Sequence, residues 1–314
     1  MSTILITGGA GFIGVHLCNL FLNSGRKVAI VDNFSFGIRS SLNEANPLLS
    51  VYPNSILDVD ALDQLMSTLK PELVYHLAAI HHIPTCEKDP GFAIRTNIEG
   101  TNNILELCWK YNVKRLIFAS TGAVYDTVDG ALNEENTPVA PKDIYSITKS
   151  SGEELLKLYA LRGGFEAISC RLFNAIGSGE TNAHLVPEIL SQLQSGSTKL
   201  KLGNLNTYRS YIHVKDVAEA LFRLSDYKMP ENYRILNIGN ETEHTVMDLV
   251  GFISEISGKK IEVEKDPDKV RKYDRLHQLA DISRLKKDLA WAPSRTVKDA
   301  LKDAYQETFG HDKL

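Results

Sequence analysis

The chain has no long hydrophobic run. No apolar stretch approaches the ~18 residues that a membrane-crossing helix needs, so a transmembrane role is not expected. Cysteine is scarce: Cys18, Cys86, Cys108 and Cys170 are scattered without metal-ligand spacing. That argues against a disulfide framework and a zinc site, and for free thiols in a reducing cytoplasm. Neither sign of charge dominates, and a formal net charge of -4 gives no strong pull toward nucleic acid or anionic lipid. A signal peptide is not expected, because the apolar start Ile4-Leu5-Ile6 lasts one strand before it meets glycines. Internal repeats and low-complexity stretches are also lacking. What is present is an ordinary globular mixture, 43% hydrophobic and 24% charged, and 314 residues suffice for one large or two modest domains.

The order of elements points to α/β architecture. Short apolar strands are predicted at 3–7, 27–31, 73–77, 116–119 and 167–172, with helices at 12–23, 97–111 and 145–161 between them. Strands alternating with helices imply a doubly wound parallel sheet covered on both faces. Past about residue 175 the rhythm changes, and Pro187, Gly196 and Gly203 separate shorter pieces. The expected division is a nucleotide-binding Rossmann domain at 1–175 and a smaller substrate-binding α+β part at 176–314. Segments near 205–240, including 214–224 and 236–239, are expected to return to the first domain.

The first strand runs into Gly8-Gly9-Ala10-Gly11-Phe12-Ile13-Gly14. In Gly8-x-x-Gly11-x-x-Gly14 the first glycine permits a tight turn, the second lets backbone approach a pyrophosphate, and the third lets helix pack on sheet. The phosphates then sit at the positive end of the helix. Asp32, at the end of the second strand, is suited to the ribose hydroxyls of NAD and would repel a 2′-phosphate; Asn33 adds no cation. Arg39 is the nearby base that argues the other way.

Tyr145 and Lys149 are four residues apart, hence on one face of a helix, one turn apart. A phenol of pKa about 10 is a poor base at neutral pH, and a neighbouring ammonium favours its phenolate. Ser120-Thr121, after the strand at 116–119, offers a hydroxyl to the same proton transfer. Tyr145, Lys149, Thr121 and Ser120 are therefore the candidate catalytic residues of a hydride-transfer enzyme. The pair His81-His82 lies near the expected sugar pocket. It reads as a relay, as ligands or as a polar wall; no third ligand is evident, so a wall is favoured over a metal.

These motifs, with Asp32-Asn33-Phe34, His76-Leu77-Ala78-Ala79, Arg171-Leu172-Phe173-Asn174 and Arg209-Ser210-Tyr211-Ile212-His213-Val214, span nearly the whole chain. Their pattern resembles the NAD-dependent epimerase/dehydratase family of nucleotide-sugar enzymes, extended short-chain dehydrogenases/reductases, and within it the UDP-sugar 4-epimerases. The resemblance implies further cofactor residues: Phe12, Ile13, Asn33, Asp58 at the adenine, Val59, Leu77, Ala78 and Ala79 along the cofactor path, Asn97 and Phe173. It implies that His81, Thr121, Asn174, His184, Leu185, Arg209, Arg271 and Asp274 bind the sugar nucleotide. The arginines suit a diphosphate, since guanidinium forks match phosphate oxygens. A homodimer built on the helices at 97–111 and 145–161 is implied as well.

Four positions depart from the family pattern. Gly122 and Ala123 stand where dehydratases carry Asp-Glu after the active-site threonine, which disfavours a 4,6-dehydratase. Asp126 replaces a glycine and Ser210 an aspartate. The expected function is a nucleotide-sugar 4-epimerase with bound NAD. Dehydration, decarboxylation or net reduction by the same machinery stays open, as does a non-catalytic NAD(P)-sensing regulator.

Overall fold

Residues 3–180, 182–270 and 275–310 are described by a computed structural model. Seven parallel strands form the central sheet: β1 (Ile4–Thr7), β2 (Val28–Val31), β3 (Leu49–Tyr52), β4 (Leu73–His76), β5 (Arg115–Thr121), β6 (Glu166–Leu172) and β7 (Tyr233–Ile238). Their spatial order is β7-β6-β5-β4-β1-β2-β3. The order reverses between β1 and β4, the place where such sheets open a crevice beyond their carboxyl ends.

β1, β2 and β4 are buried at every position because both faces of the sheet are covered there. Ile4 and Ile6 point into a core shared with Leu17 and Phe21 of helix Phe12–Asn23 and with Val217 and Leu221 of helix Val214–Arg223. Leu5, between them, points into the opposite core with Leu62, Ile104, Leu105 and Leu156. The period of two is thus apolar on both sides. Two parts of the segment 205–240 pack with the central sheet. Residues 233–238 add the edge strand, and 214–223 form a helix on the sheet's face, packed so that the Phe21 and Phe222 rings lie 4.9 Å apart.

The chain beyond β6 builds a third core from helices Leu185–Gln194, Val246–Ser257 and Val297–Phe309. Paired strands Lys199–Leu202 and Glu262–Lys265 flank it. The expected helix at 97–111 is the last part of a longer helical run. It starts at Pro90, capped by the Asp89 carboxylate, passes through one π turn at Arg95–Glu99, and continues as Gly100–Lys110. Helix Ile144–Leu161 begins with a capping box, in which the Asp143 carboxylate accepts from the Ser146 amide at 2.8 Å. That cap fixes where Tyr145 and Lys149 project.

Candidate active site

A cavity of about 1250 Å³ opens over the carboxyl ends of β1, β4 and β5, larger than one small ligand requires. The glycine turn forms its floor. Gly8 has φ +71, and a Cβ there would lie 2.6 Å from the Ala78 amide nitrogen. A Cβ on Gly14 would lie 2.5 Å from the Gly8 carbonyl oxygen. Helix Phe12–Asn23 starts at Gly11 with no side chain capping it, so its first amides stay available to an anion. This cradle fits the pyrophosphate of a dinucleotide. Phe12, Ile13, Asn33, Leu77, Ala78 and Ala79 line the cavity.

Asp32 does more than face the cofactor end. Its carboxylate accepts from the Ala10 amide at 3.0 Å and the Phe34 amide at 2.8 Å, tying the glycine turn to the loop after β2. Burial raises its pKa against the pull of those two bonds. Arg39 is held by Glu44 through two bonds of 2.8 and 3.0 Å, so a 2′-phosphate would compete with a carboxylate already in place.

The reactive groups converge. Thr121, at the end of β5, accepts from the Ala123 amide at 3.1 Å and hydrogen-bonds the Tyr145 phenol. With the amide on one lone pair, the hydroxyl keeps a proton to donate to a phenolate and a second lone pair to accept from a neutral phenol. Lys149 Nζ donates to the Ala119 carbonyl at 2.7 Å and sits 4.7 Å from the Phe118 ring centroid. Burial lowers the Lys149 pKa to about 7, with Cys86 and Glu153 opposing. Tyr145 is a correction to the acidified phenol expected above. Burial pushes the phenol well above its ordinary value, and among the protein's own groups the Thr121 hydrogen bond draws it back.

Ser120 is separated from Thr121 in role. Its hydroxyl donates to Glu153 at 2.5 Å, and the same carboxylate is bound by Arg171 at 2.9 and 2.7 Å. Asn97, expected at the cofactor, is committed elsewhere. Its amide donates to the Ile80 carbonyl at 2.9 Å and Thr148 Oγ1 at 3.0 Å, and its oxygen accepts from the Ile80 amide at 2.7 Å. It braces the cavity wall from behind. Asp58 caps helix Val59–Leu69 by accepting from the Ala61 amide at 3.2 Å; Ile56 and Leu57 line the cavity there, while Val59 is exposed. Asn97, Asp58 and Val59 do not themselves line the cavity.

Phe173, expected at the cofactor, and His81, Asn174, His184, Leu185 and Arg209, expected at the substrate, line the same cavity. Arg271 and Asp274 lie outside the described residues. Residues that the sequence did not single out also appear: Phe36, Lys269 and Arg275. Arg275 Nη2 donates to the Ala123 and Tyr125 carbonyls at 2.8 and 2.9 Å, bracing the loop behind Thr121. The departures have local explanations. Any side chain at Gly122 would meet the Phe173 ring at 3.0 Å, Asp126 pairs with Lys142 at 2.8 Å, and Ser210 donates to the Asn240 carbonyl at 2.5 Å. Among the described residues no group of three or more His, Cys, Asp or Glu is arranged to hold a metal.

The pattern that defines the NAD dependent epimerase/dehydratase family matches residues 4–239. The chain belongs to that family. Its cofactor is NAD, in keeping with the glycine cradle, Asp32 and the engaged Arg39. Among family relatives, the UDP-glucose 4-epimerase of Bacillus subtilis is 28% identical, the match covering 96% of each chain. A UDP-N-acetyl-alpha-D-glucosaminuronate decarboxylase of Bacillus cytotoxicus is 31% identical over 96% of each. The crystal structure of Thermotoga maritima UDP-glucose 4-epimerase with UDP-glucose superposes with a TM-score of 0.89 at 30% identity, covering 97% of this chain and 98% of that one.

Proposed function

We propose that this family member is a UDP-sugar 4-epimerase. The observation that carries the reading is the convergence of Thr121, Tyr145 and Lys149 in the cavity that the glycine turn opens. Tyr145 takes the proton of the sugar's 4-hydroxyl and later returns it. Thr121 donates to the phenol oxygen and keeps it oriented through both transfers. Burial lowers the Lys149 pKa to about 7, and its positive charge is lost as pH rises through that value. The glycine cradle and Asp32 would hold NAD, whose nicotinamide would supply a hydride acceptor for carbon 4 and a positive charge that favours a phenolate. Arg209 and Asn174 are assigned to the diphosphate and its junction with the sugar. Arg271 and Asp274 keep the roles that the family resemblance implies.

Two observations weigh against the neighbouring chemistries. A 4,6-dehydratase needs acids directly after the threonine, and positions 122 and 123 are glycine and alanine. A cofactor-sensing regulator has no use for a buried Tyr-Lys pair aimed into the cavity. The reading assigns cofactor binding to residues 1–175 with 205–240, and sugar-nucleotide binding mainly to 176–314. A cytoplasmic setting is supported by four buried free thiols, and no helix among the described residues is long and apolar enough to cross a membrane.

Purified protein, incubated with NAD and a panel of UDP-sugars, is expected to interconvert a pair of 4-epimers with no net change in nicotinamide absorbance. Tyr145→Phe is expected to cut kcat by roughly 10²–10⁴-fold while leaving the fold intact. Wild-type turnover in that variant, or a decarboxylated or dehydrated product, would defeat the proposal.

A further inference from the structure

Behind the reacting pair lies a buried ion pair that the proton transfer itself does not touch. Tyr145, Lys149 and Glu153 recur every four residues along helix Ile144–Leu161, so they run down one side of it. The first two line the cavity, and Glu153 is buried one turn beyond Lys149. Its carboxylate takes three donors from two strands of the sheet. Arg171 of β6 grips both oxygens, at 2.9 Å through Nε and 2.7 Å through Nη2, and Ser120 of β5 adds its hydroxyl at 2.5 Å. Arg171 is itself buried, with its guanidinium 4.5 Å from the centroid of the Tyr125 ring. Full satisfaction of this kind rigidifies a buried polar network.

The same contact sets where Lys149 sits. A Cβ on Gly152 would meet the Phe118 ring at 2.7 Å, so the bare backbone there lets the helix lie close against β5. Lys149 Nζ rests on that ring and on the Ala119 carbonyl, the residue next to Ser120. Its charge has few other supports. His76 at the end of β4 and His81 in the loop after it are held near pKa 3, chiefly by burial, and are neutral when the amine titrates. The Cys86 thiol, on helix Ile83–Lys88, is raised by burial to about 11 and is neutral as well. Tyr145 is pushed well up by burial. That leaves the Glu153 carboxylate, with the Arg171 guanidinium behind it, to bear on the ammonium as fixed charges.

We propose that Glu153, held by Arg171 and Ser120, is a positioning residue of the proton transfer, fixing the place of Lys149 and sustaining its charge one turn from Tyr145. The inference rests on Tyr145 and Lys149 being the reacting pair and adds the buried groups that keep them so.

The test is the pH titration of Lys149 in NAD-free protein, followed by NMR of its isotope-labelled ε-carbon and assigned by loss of the resonance in Lys149→Arg. Glu153→Gln keeps the side chain's shape and removes its charge, and should move the titration down by at least about half a pH unit. Ser120→Ala takes one donor from the carboxylate, leaves its charge less compensated, and should move the titration up by a smaller amount. Shifts of opposite sign mark a charge effect, since loosened packing would move both variants one way or neither. Ser120→Ala alters a single hydroxyl and carries the test alone if Glu153→Gln does not fold. An unmoved titration in either folded variant, or shifts of one sign, would overturn the inference. With NAD and the UDP-sugar that wild type converts, Glu153→Gln should lower kcat by at least about threefold at pH 8 with KM nearly unchanged; wild-type kcat there would overturn it too. If the titrations move as stated but wild type epimerises no UDP-sugar, only the 4-epimerase reading fails.

Discussion

Buried histidines give this protein a predictable response to acid. His76 accepts from Thr7 Oγ1 at Nδ1, 2.7 Å away, and its Nε2 lies 2.9 Å from Thr101 Oγ1. Thr101 donates its own proton to the Asn97 carbonyl at 2.6 Å, so His76 must carry its hydrogen on Nε2 and is neutral. Burial holds His76 and His81 near pKa 3, against 6.5 for an unperturbed imidazole. Between those values the unfolded chain binds protons that the native one does not, so stability falls as pH drops from 6.5 toward 3 and is intact above 6.5. Melting temperatures between pH 7.5 and 4.5 should decline, and less steeply in His81→Gln; identical slopes would remove His81 from that account. A second residue-scale prediction concerns Asp32. Asp32→Ala should weaken NAD binding and narrow the preference over NADP, read from the two Kd values, and should lower stability by about 1–3 kcal/mol because two loop amides lose their acceptor. An unchanged cofactor preference would count against the ribose role.

At the scale of elements, the sequence was most legible where one segment carries the whole signal. β1, the glycine turn and helix Phe12–Asn23 are contiguous, and the turn needs glycine for reasons that its own backbone supplies. The Tyr-Lys helix declares itself by spacing alone. β3 and helix Val59–Leu69 were not anticipated: β3 is a half-exposed edge strand of four residues, and Leu-Ser-Val-Tyr is too short a pattern to stand out. The internal partners of Asn97, Asp58 and Ser120 were hidden for a different reason. Thr148 and Glu153 are remote in sequence from Asn97 and Ser120, while Ala61 takes one oxygen of the Asp58 carboxylate and Ser120 still lines the cavity. The same remoteness hid the packing of His184 on His81 and His82. Gly14→Ala tests the element that was read best. The added methyl would meet the Gly8 carbonyl at 2.5 Å, so a cost of about 1–3 kcal/mol and a marked loss of NAD affinity are expected in denaturation and binding measurements.

The whole molecule leaves apolar residues on one pair of neighbouring helices. Trp109, Ile147, Leu158 and Leu161 are exposed on Gly100–Lys110 and Ile144–Leu161, Leu161 by 66%. Such a surface suits a second copy of the chain, as the family resemblance implies. Mass measurement in solution should give a dimer, and Leu158→Glu should shift it toward monomer; a wild-type monomer would remove the proposal. The two halves are also joined across the cavity. Arg275, from the part that follows the sheet, grips the carbonyls just behind Thr121. Whatever settles on that C-terminal wall therefore also steadies the hydroxyl beside the phenol. A free monosaccharide, lacking the uridine and phosphates that would press on this strut, should be converted slowly even at saturating concentration: contacts made far from carbon 4 would be expressed as rate and not only as grip.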